Sequence, residues 1–226
     1  MTIDTNKLDN PVFHSLSETH HRFDINYGNI KFYHPDYCPF GGFSYAENIM
    51  THIDDYSALC DNFFVVGNKP EFSSALMLKK ELVCNQMIID HTIDIDTQVN
   101  IVQLTDAHAN ELLHLVNLVQ PGYFKHKTRL LGNYSGIFNE GKLIAVTGER
   151  MKMDDFTEVS AVITHPDHTG KGYAKLLVAH TVNNIFAENK TPYLHVASSN
   201  AAAISLYKKL GFITRREISF WNLVKK

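Results

Sequence analysis

An apolar run from Phe156 to Thr164 leads through a short polar turn into Gly170-Lys171-Gly172 and then into a helical pattern. A strand that continues into a helix in this way predicts a helix packed on a sheet. From residue 101 to the end, the apolar spacing extends this to the order β-α-β-β-β-α-β-α-β. The sequence therefore predicts an α/β fold, a mixed sheet with helices packed on it.

The expected elements of this second half are bounded by turn and capping residues. Asn139-Glu140-Gly141 is typical of a β-hairpin turn, and Pro121-Gly122 ends the helix before it. Strands are expected over 101–104, 134–138, 143–149, 156–164 and 193–197, and a final strand or pair of strands from Phe212. One helix is expected to follow Thr105 as its N-cap, with Leu112, Leu115, Val116 and Val119 at helical spacing. Two more are expected over about 171–188 and 201–210.

The first half of the chain has a less regular pattern. Short strands are expected at Ile30–Tyr33 and Phe63–Val66, a helix over 46–60, and a strand over 82–89. A polar stretch over 90–100 then separates the two halves. We therefore expect a smaller α+β domain over residues 1–97 and the regular domain over residues 98–226.

Composition excludes several classes of function. The 226 residues carry a formal charge of −3, which gives no overall attraction to nucleic acid or anionic membranes. No apolar stretch is long enough to span a membrane, and the N-terminus lacks the pattern of a signal peptide. The three cysteines form no C-x-x-C pair, which favours a reducing compartment. The expectation is a cytoplasmic protein that binds neither nucleic acid nor membrane.

The glycine turn after the third strand predicts an anion site. Glycines let the main chain approach a ligand closely, and the first N–H groups of a helix have no partner within it. Lys171 and Lys175 add positive charge, so the segment suits a pyrophosphate. It matches neither a P-loop nor a dinucleotide-binding motif, because residues required by each pattern are missing.

A second motif lies 28 residues after Gly172: Asn200-Ala-Ala-Ala-Ile-Ser-Leu-Tyr-Lys-Lys-Leu-Gly-Phe212. Together with Thr169-Gly-Lys-Gly-Tyr-Ala174, it resembles the GNAT superfamily of acyl-CoA-dependent N-acetyltransferases. The resemblance covers about residues 100–226. More loosely, the chain resembles a bacterial branch in which a degenerate half precedes the catalytic domain, similar to the glycine N-acyltransferase-like arrangement.

This resemblance implies roles for particular residues in binding acetyl-CoA. The pantetheine arm would pair with the main chain of Val162, Ile163 and Thr164 and would bind Asn200. Tyr207 would protonate the leaving thiolate. Thr169 stands where the family usually has Gln or Arg, so one contact to phosphate is expected to be weaker. The pyrophosphate would lie on Thr169, Gly170, Lys171, Gly172, Tyr173, Ala174 and Lys175.

Two residues are candidates for the general base. The resemblance places Glu158 and His195 beside the acetyl carbonyl, and we expect them to share a water, with Glu158 the favoured proton acceptor. A structural role is the alternative for each, as an orienting carboxylate and a hydrogen-bonded core histidine. Tyr123, Phe124 and Arg129 fall where such proteins build the acceptor pocket.

The expected function is transfer of an acetyl group from acetyl-CoA to a primary amine of a small molecule or peptide. The alternative is an acyl-CoA-binding sensor or scaffold without turnover. His165-x-x-His168 has the composition of a metal site but lies in the turn before the glycines, so no metal is expected. Neither the acceptor nor the oligomeric state can be inferred from the sequence.

Overall fold

The computed structural model of the chain describes residues 5–96 and 98–226. Its strands are β1 Asp24–Asn26, β2 Ile30–Tyr33, β3 Phe40–Phe43, β4 Asn62–Val66, β5 Leu76–Ile88, β6 Val102–Gln103, β7 Tyr134–Asn139, β8 Lys142–Lys152, β9 Phe156–Thr164, β10 Thr191–Ala197 and β11 Ile213–Lys225. Its helices are α1 Pro11–Ser17, α2 Ile49–Ser57, α3 Ala109–Val119, α4 Tyr173–Ala187 and α5 Ala201–Lys209. The predicted order of the second half is confirmed, and the chain ends in one long strand rather than a pair.

The described strands form one sheet in the order β1-β2-β3-β4-β11-β5-β10-β9-β8-β7-β6. β9 and β10 are parallel, as are β3 and β4, and the other neighbours are antiparallel. The mixed α/β architecture predicted from the sequence is therefore present.

β5 belongs to the first half of the chain but lies between β10 and β11 of the second half. It pairs with β11 along its whole length, from Leu76 opposite Lys225 to Ile88 opposite Ile213. The two halves thus share one sheet. The predicted domain boundary falls at residue 97, which lies outside the described residues. Residues 1–4, which belong to the N-terminal segment that lacks a signal-peptide pattern, also lie outside them.

Helices cover the two faces of the sheet, and the buried side chains of the described residues form several separate hydrophobic clusters. On one face, α4 and α5 pack against β9 and β10, where Val178 and Val182 contact the buried Val159 and Leu194. On the other face, α1 and the residues before it cover the strands with side chains such as Leu8, Val12 and Leu16. No helix in residues 5–96 or 98–226 combines the length and apolar character needed to cross a membrane.

Candidate active site

β9 and β10 diverge in the middle of the sheet. They pair only from Phe156 opposite Thr191 to Glu158 opposite Tyr193, and from there β10 pairs with β5 alone. Val162, Ile163 and Thr164 therefore lie on a part of β9 that has no pairing with β10. This divergence leaves a slot between the two strands.

A bulge in β9 widens this slot. Ala161 has a φ of 50°, and the register between β8 and β9 shifts between Ser160 and Ile163. An extra residue in one strand leaves main-chain groups without a ladder partner and bends the strand. The bulge thus interrupts the pairing of β9 with β8 next to the slot.

A cavity of about 230 Å³ fills the slot and reaches both faces of the sheet. Asn200, Ala203 and Tyr207 line it on the face covered by α4 and α5. On the opposite face its lining includes Phe40, Tyr123, Arg150, Glu158, His195 and Phe220. Two substrates could therefore approach the same point from opposite sides of the sheet.

The segment after β9 forms a loop rich in unpaired donors. Gly170 and Gly172 have φ values of 77° and 79°, a conformation that favours glycine, and a Cβ on either would meet open space. Within the described part of the chain, the main-chain N–H groups of residues 170–175 have no hydrogen-bond partner, and Leu176 donates the first helical bond, to Gly172. Lys171 and Lys175 are exposed beside them. This arrangement suits an anion.

Thr169 does not replace the missing Gln or Arg contact in this structure. Its Oγ1 donates a hydrogen bond of 3.1 Å to the carbonyl oxygen of Pro166, within the turn. Asn200 caps α5, where its Oδ1 accepts from the N–H of Ala203 at 3.1 Å. The Asn200 amide nitrogen has no partner among the described residues and remains available to a ligand.

Glu158 is part of a buried ion pair. Its side chain is only 1% exposed, and it accepts two hydrogen bonds from Arg150, at 2.8 Å from Nε and 2.9 Å from Nη2. Burial on its own would raise the pKa of this carboxyl, but the charge of Arg150 and the hydrogen bonds from Arg150 and His195 outweigh it and hold the pKa at about 2. The Glu158 carboxylate is therefore ionised and tightly held.

His195 contacts Glu158 directly rather than through a shared water, which corrects the expectation from the sequence. The distance from Nδ1 of His195 to Oε1 of Glu158 is 2.8 Å, and the histidine side chain is 2% exposed. Because the carboxylate can only accept, Nδ1 carries the proton. Because these two atoms are at the distance of a direct hydrogen bond, no water fits between them.

Gln86 of β5 holds the other ring nitrogen of His195. Its Nε2 donates to the carbonyl oxygen of Leu8 at 2.7 Å and lies 3.1 Å from Nε2 of His195. Its Oε1 accepts from Arg215 at 2.9 Å, which fixes which end of the amide faces the histidine. The fully buried Gln86 therefore donates to Nε2 of His195, in agreement with a proton on Nδ1.

Tyr207 lies on α5 with its ring in the core and its hydroxyl at the cavity. The residue is 7% exposed, and no described residue hydrogen-bonds the hydroxyl. Burial raises the pKa of Tyr207 to about 12, so the phenol keeps its proton at neutral pH. A protonated donor thus faces the slot from the α4/α5 side.

Comparison with known proteins places this geometry in context. The model of the FR47-like protein family matches residues 134–221. A protein of Novosphingobium aromaticivorans that is assigned to the GNAT acetyltransferases is 29% identical, with 98% of this chain and 99% of that chain covered and a TM-score of 0.88. No curated protein matches the chain. The chain is thus similar to the FR47-like family over residues 134–221 and to a GNAT acetyltransferase over nearly its whole length.

More distant GNAT structures show the same fold. A GCN5-related N-acetyltransferase-like protein of Streptococcus suis is 14% identical over 85% of this chain and 82% of its own, with a TM-score of 0.60. A GCN5-related N-acetyltransferase of Kribbella flavida is 14% identical over 100% of this chain and 96% of its own, with a TM-score of 0.64. At this level of identity, the two similarities show that the fold is shared. The glycine N-acyltransferase-like arrangement is not among these findings.

The structure brings Glu158, His195, Asn200 and Tyr207 to one cavity and leaves other candidates outside it. Arg129 forms an ion pair with Asp106 and does not line this cavity, whereas Tyr123 and Phe124 do. In the described part of the chain, no group of three or more His, Cys, Asp or Glu residues could hold a metal ion.

Sequence reasoning missed three features of the site. Gln86 directly precedes the apolar residues Met87 and Ile88 at the buried end of β5, a signal that could have been used. Arg150 is opposite Glu158 in the β8–β9 register, which the hairpin turn alone does not set because bulges shift it. Nothing in the sequence around Ala161 indicates the bulge.

Proposed function

We propose that this protein transfers an acetyl group from acetyl-CoA to a primary amine. The observation that carries the proposal is the slot between β9 and β10. Tyr207, whose hydroxyl has no partner among the described residues, lines this slot, and the donor-rich loop directly follows β9 in the sequence. A thioester arm needs main-chain partners along its length and a proton donor at its sulfur. The slot offers both.

Binding of the acyl donor follows from the loop and the strands. The pyrophosphate would lie on the N–H groups of residues 170–175, with Lys171 and Lys175 adding charge. The pantetheine arm would run along Val162, Ile163 and Thr164 and accept a hydrogen bond from the Asn200 amide. Because most of the groups that would bind the acyl donor belong to the main chain, binding does not require the Gln or Arg side chain that the family usually has at position 169.

In the reaction, the amine nitrogen forms a bond to the acetyl carbonyl carbon, and the carbon–sulfur bond breaks with its electron pair on sulfur. The amine loses a proton, and Tyr207 donates one to the thiolate. Orientation of the two reactants is worth roughly 7–11 kcal/mol, and acid or base catalysis about 10²–10⁴-fold each. Positioning by the slot is therefore the larger contribution.

His195 is the better candidate for the proton acceptor. Protonation at pH 7 of a carboxyl whose pKa is about 2 costs roughly 7 kcal/mol, so Glu158 acts as a fixed negative charge that orients the ring. With the proton on Nδ1, His195 has a lone pair on Nε2, which Gln86 now occupies. We propose that the amine, or a water beside it, takes the place of this contact during the reaction.

A CoA-binding protein without turnover is the second candidate. It is favoured by the fact that both ring nitrogens of His195 already have protein partners. Incubation with acetyl-CoA and a panel of primary amines separates the two, with free thiol and N-acetylated amine as readouts. Amine-dependent release of both products supports acetyl transfer. Tight binding of acetyl-CoA with no release above that of the amine-free control would identify a binding protein.

A further inference from the structure

Aromatic rings form a continuous wall on the face of the cavity opposite Tyr207. The ring of His195 lies 5.3 Å from that of Phe220, which lies 5.6 Å from that of Phe40, and Phe40 lies 6.3 Å from Tyr123. All three contacts are edge-to-face, a favourable geometry for aromatic pairs. All four residues line the cavity, so the wall runs from His195 out to Tyr123.

The charges around this wall are balanced or positive. Among the described residues that line the cavity, Glu158 is the one carboxylate, and Arg150 and His195 bind both of its oxygens. Lys80 donates to the Tyr123 hydroxyl at 3.3 Å and so places a positive charge beside the outermost ring. No unpaired negative charge is present among these residues to bind a second ammonium group.

Arg150 has its charge balanced by Glu158 and its guanidinium held against an aromatic ring. Its Nε and Nη2 are both bound to Glu158, and its guanidinium stacks 4.7 Å from the centre of the Phe40 ring. Two parallel hydrogen bonds are the strongest way for a guanidinium to bind a carboxylate, and Glu158 already makes them, so a substrate carboxylate would meet a charge that is already balanced. The wall therefore presents apolar rings rather than a charged site.

From these observations we propose that the acceptor is a primary monoamine with an apolar, ring-sized body and no second charge. This proposal rests on the proposed acetyl transfer and names its substrate class. The amine would lie beside His195, and its body would pack on Phe220, Phe40 and Tyr123. Polyamines are disfavoured, because a second ammonium group would meet Lys80 and no free carboxylate among the described residues of the cavity. Free amino acids are disfavoured, because a carboxylate next to the reacting amine would be buried near the Glu158 carboxylate, with the charge of Arg150 already balanced.

The test compares amines that differ in one property. For the protein with acetyl-CoA, we expect kcat/KM for 2-phenylethylamine to exceed that for phenylalanine and for spermidine by at least about tenfold. Phenylalanine has the same ring and adds one carboxylate, and spermidine has no ring and adds positive charge. A higher kcat/KM for either would overturn the proposal, as would equal values for 2-phenylethylamine and ethylamine.

A variant series locates the preference on the wall. Tyr123→Leu is expected to lower kcat/KM for 2-phenylethylamine by about tenfold while the KM for acetyl-CoA stays within twofold. Tyr123→Phe keeps the ring and should keep the ratio between 2-phenylethylamine and ethylamine. Tyr45→Leu, at a residue that is 58% exposed, is the matched control for loss of a tyrosine elsewhere. An unchanged ratio in Tyr123→Leu would contradict the role of the wall.

A binding measurement separates failure of this proposal from failure of acetyl transfer. Saturation-transfer NMR of 2-phenylethylamine, phenylalanine and spermidine with the protein and CoA reports amine binding without turnover. Preferred binding of 2-phenylethylamine with no acetylated product would support the acceptor site and reject acetyl transfer. Preferred acetylation of spermidine would support acetyl transfer and reject the proposed acceptor class.

Discussion

At the scale of single residues, Tyr207 offers the simplest test, because its hydroxyl has no hydrogen-bond partner among the described residues. Tyr207→Phe removes one donor and keeps the ring in the core between α4 and α5. We expect kcat to fall by about 10²–10⁴-fold while the Kd for acetyl-CoA is nearly unchanged, since the donor is needed only when the thiolate forms. Steady-state kinetics and calorimetric titration check this. A kcat within threefold of wild type would mean that the tyrosine only packs.

The pKa of about 2 at Glu158 makes a prediction about stability and pH. A carboxyl whose pKa is lower in the folded protein than its ordinary 4.5 stabilises the fold above pH 4.5, and this contribution is lost as pH falls toward 2. Glu158→Gln removes it and leaves Arg150 unpaired, at a cost of about 3–5 kcal/mol near pH 7. Urea unfolding of wild type and variant should therefore give a difference that shrinks between pH 4.5 and 2.

The control for this prediction is Glu71→Gln, at an exposed position. It is expected to change the free energy of unfolding by no more than about 0.5 kcal/mol. A difference between wild type and Glu158→Gln that stays constant from pH 7 to pH 2 would show that the ion pair with Arg150 does not set the ionisation of Glu158.

Gln86 is a positioning residue whose effect can be seen on His195 itself. The bonds of Gln86 to Leu8 and Arg215 orient its amide so that it donates to Nε2 of His195. We expect ¹⁵N NMR of wild type to show the proton of His195 on Nδ1, and Gln86→Glu to show protons on both nitrogens, because a carboxylate accepts where the amide donated. The signal is assigned among the 13 histidines by its absence in His195→Asn.

Gln86→Met, which removes the donor without adding charge, is the companion variant. It is expected to lower kcat more than it raises the KM for acetyl-CoA, since the histidine ring loses a fixed orientation. Both variants also lose buried hydrogen bonds, worth about 1–3 kcal/mol for the groups left unsatisfied. If neither variant alters the ring-nitrogen shifts of His195, Gln86 has only a structural role.

At the scale of secondary structure, the loop before α4 can be tested with a matched pair of glycines. Gly172 and Gly28 both have positive φ, 79° and 82°, and a Cβ on either meets open space. Changing each to Glu imposes a comparable strain, but only Gly172→Glu puts a negative charge at the N–H groups of residues 170–175. We expect Gly172→Glu to abolish acetyl-CoA binding in calorimetric titration and Gly28→Glu to keep it. Equal affinities would remove the loop as the pyrophosphate site.

Much of this element level could be predicted from the sequence. β9 was predicted at its observed bounds, and α4 within two residues, because each has a clear apolar period and a distinct end. The position of β5 could not be predicted, since pairing between Leu76–Ile88 and Ile213–Lys225 depends on contacts far apart in the chain. The same limit hid the direct contact of His195 with Glu158 and its bond to Gln86.

The first half of the chain also proved more integrated than its pattern indicated. An irregular sequence with a polar stretch before residue 101 predicts a separate small domain. In the structure, this half supplies the strand that pairs with β10 beside the slot, and its Phe40 lines the cavity. Residues 90–100 thus separate an irregular from a regular sequence pattern, but strands from both sides of this stretch belong to one sheet.

At the scale of the whole molecule, the position of β5 predicts that residues 98–226 do not fold alone. In that fragment β10 would lose β5 from one edge, and β11 would lose both of its neighbours, β4 and β5. Met87 and Ile89 would also be missing from the core under α4 and α5. Calorimetry of the full chain should therefore show one transition, with equal calorimetric and van't Hoff enthalpies. The separate fragment 98–226 should lack cooperative unfolding and acetyl-CoA binding, and co-expression with residues 1–97 should restore both. A fragment 98–226 that unfolds cooperatively and binds acetyl-CoA would instead establish two independent domains, because the strands of the second half would then need no partner from the first.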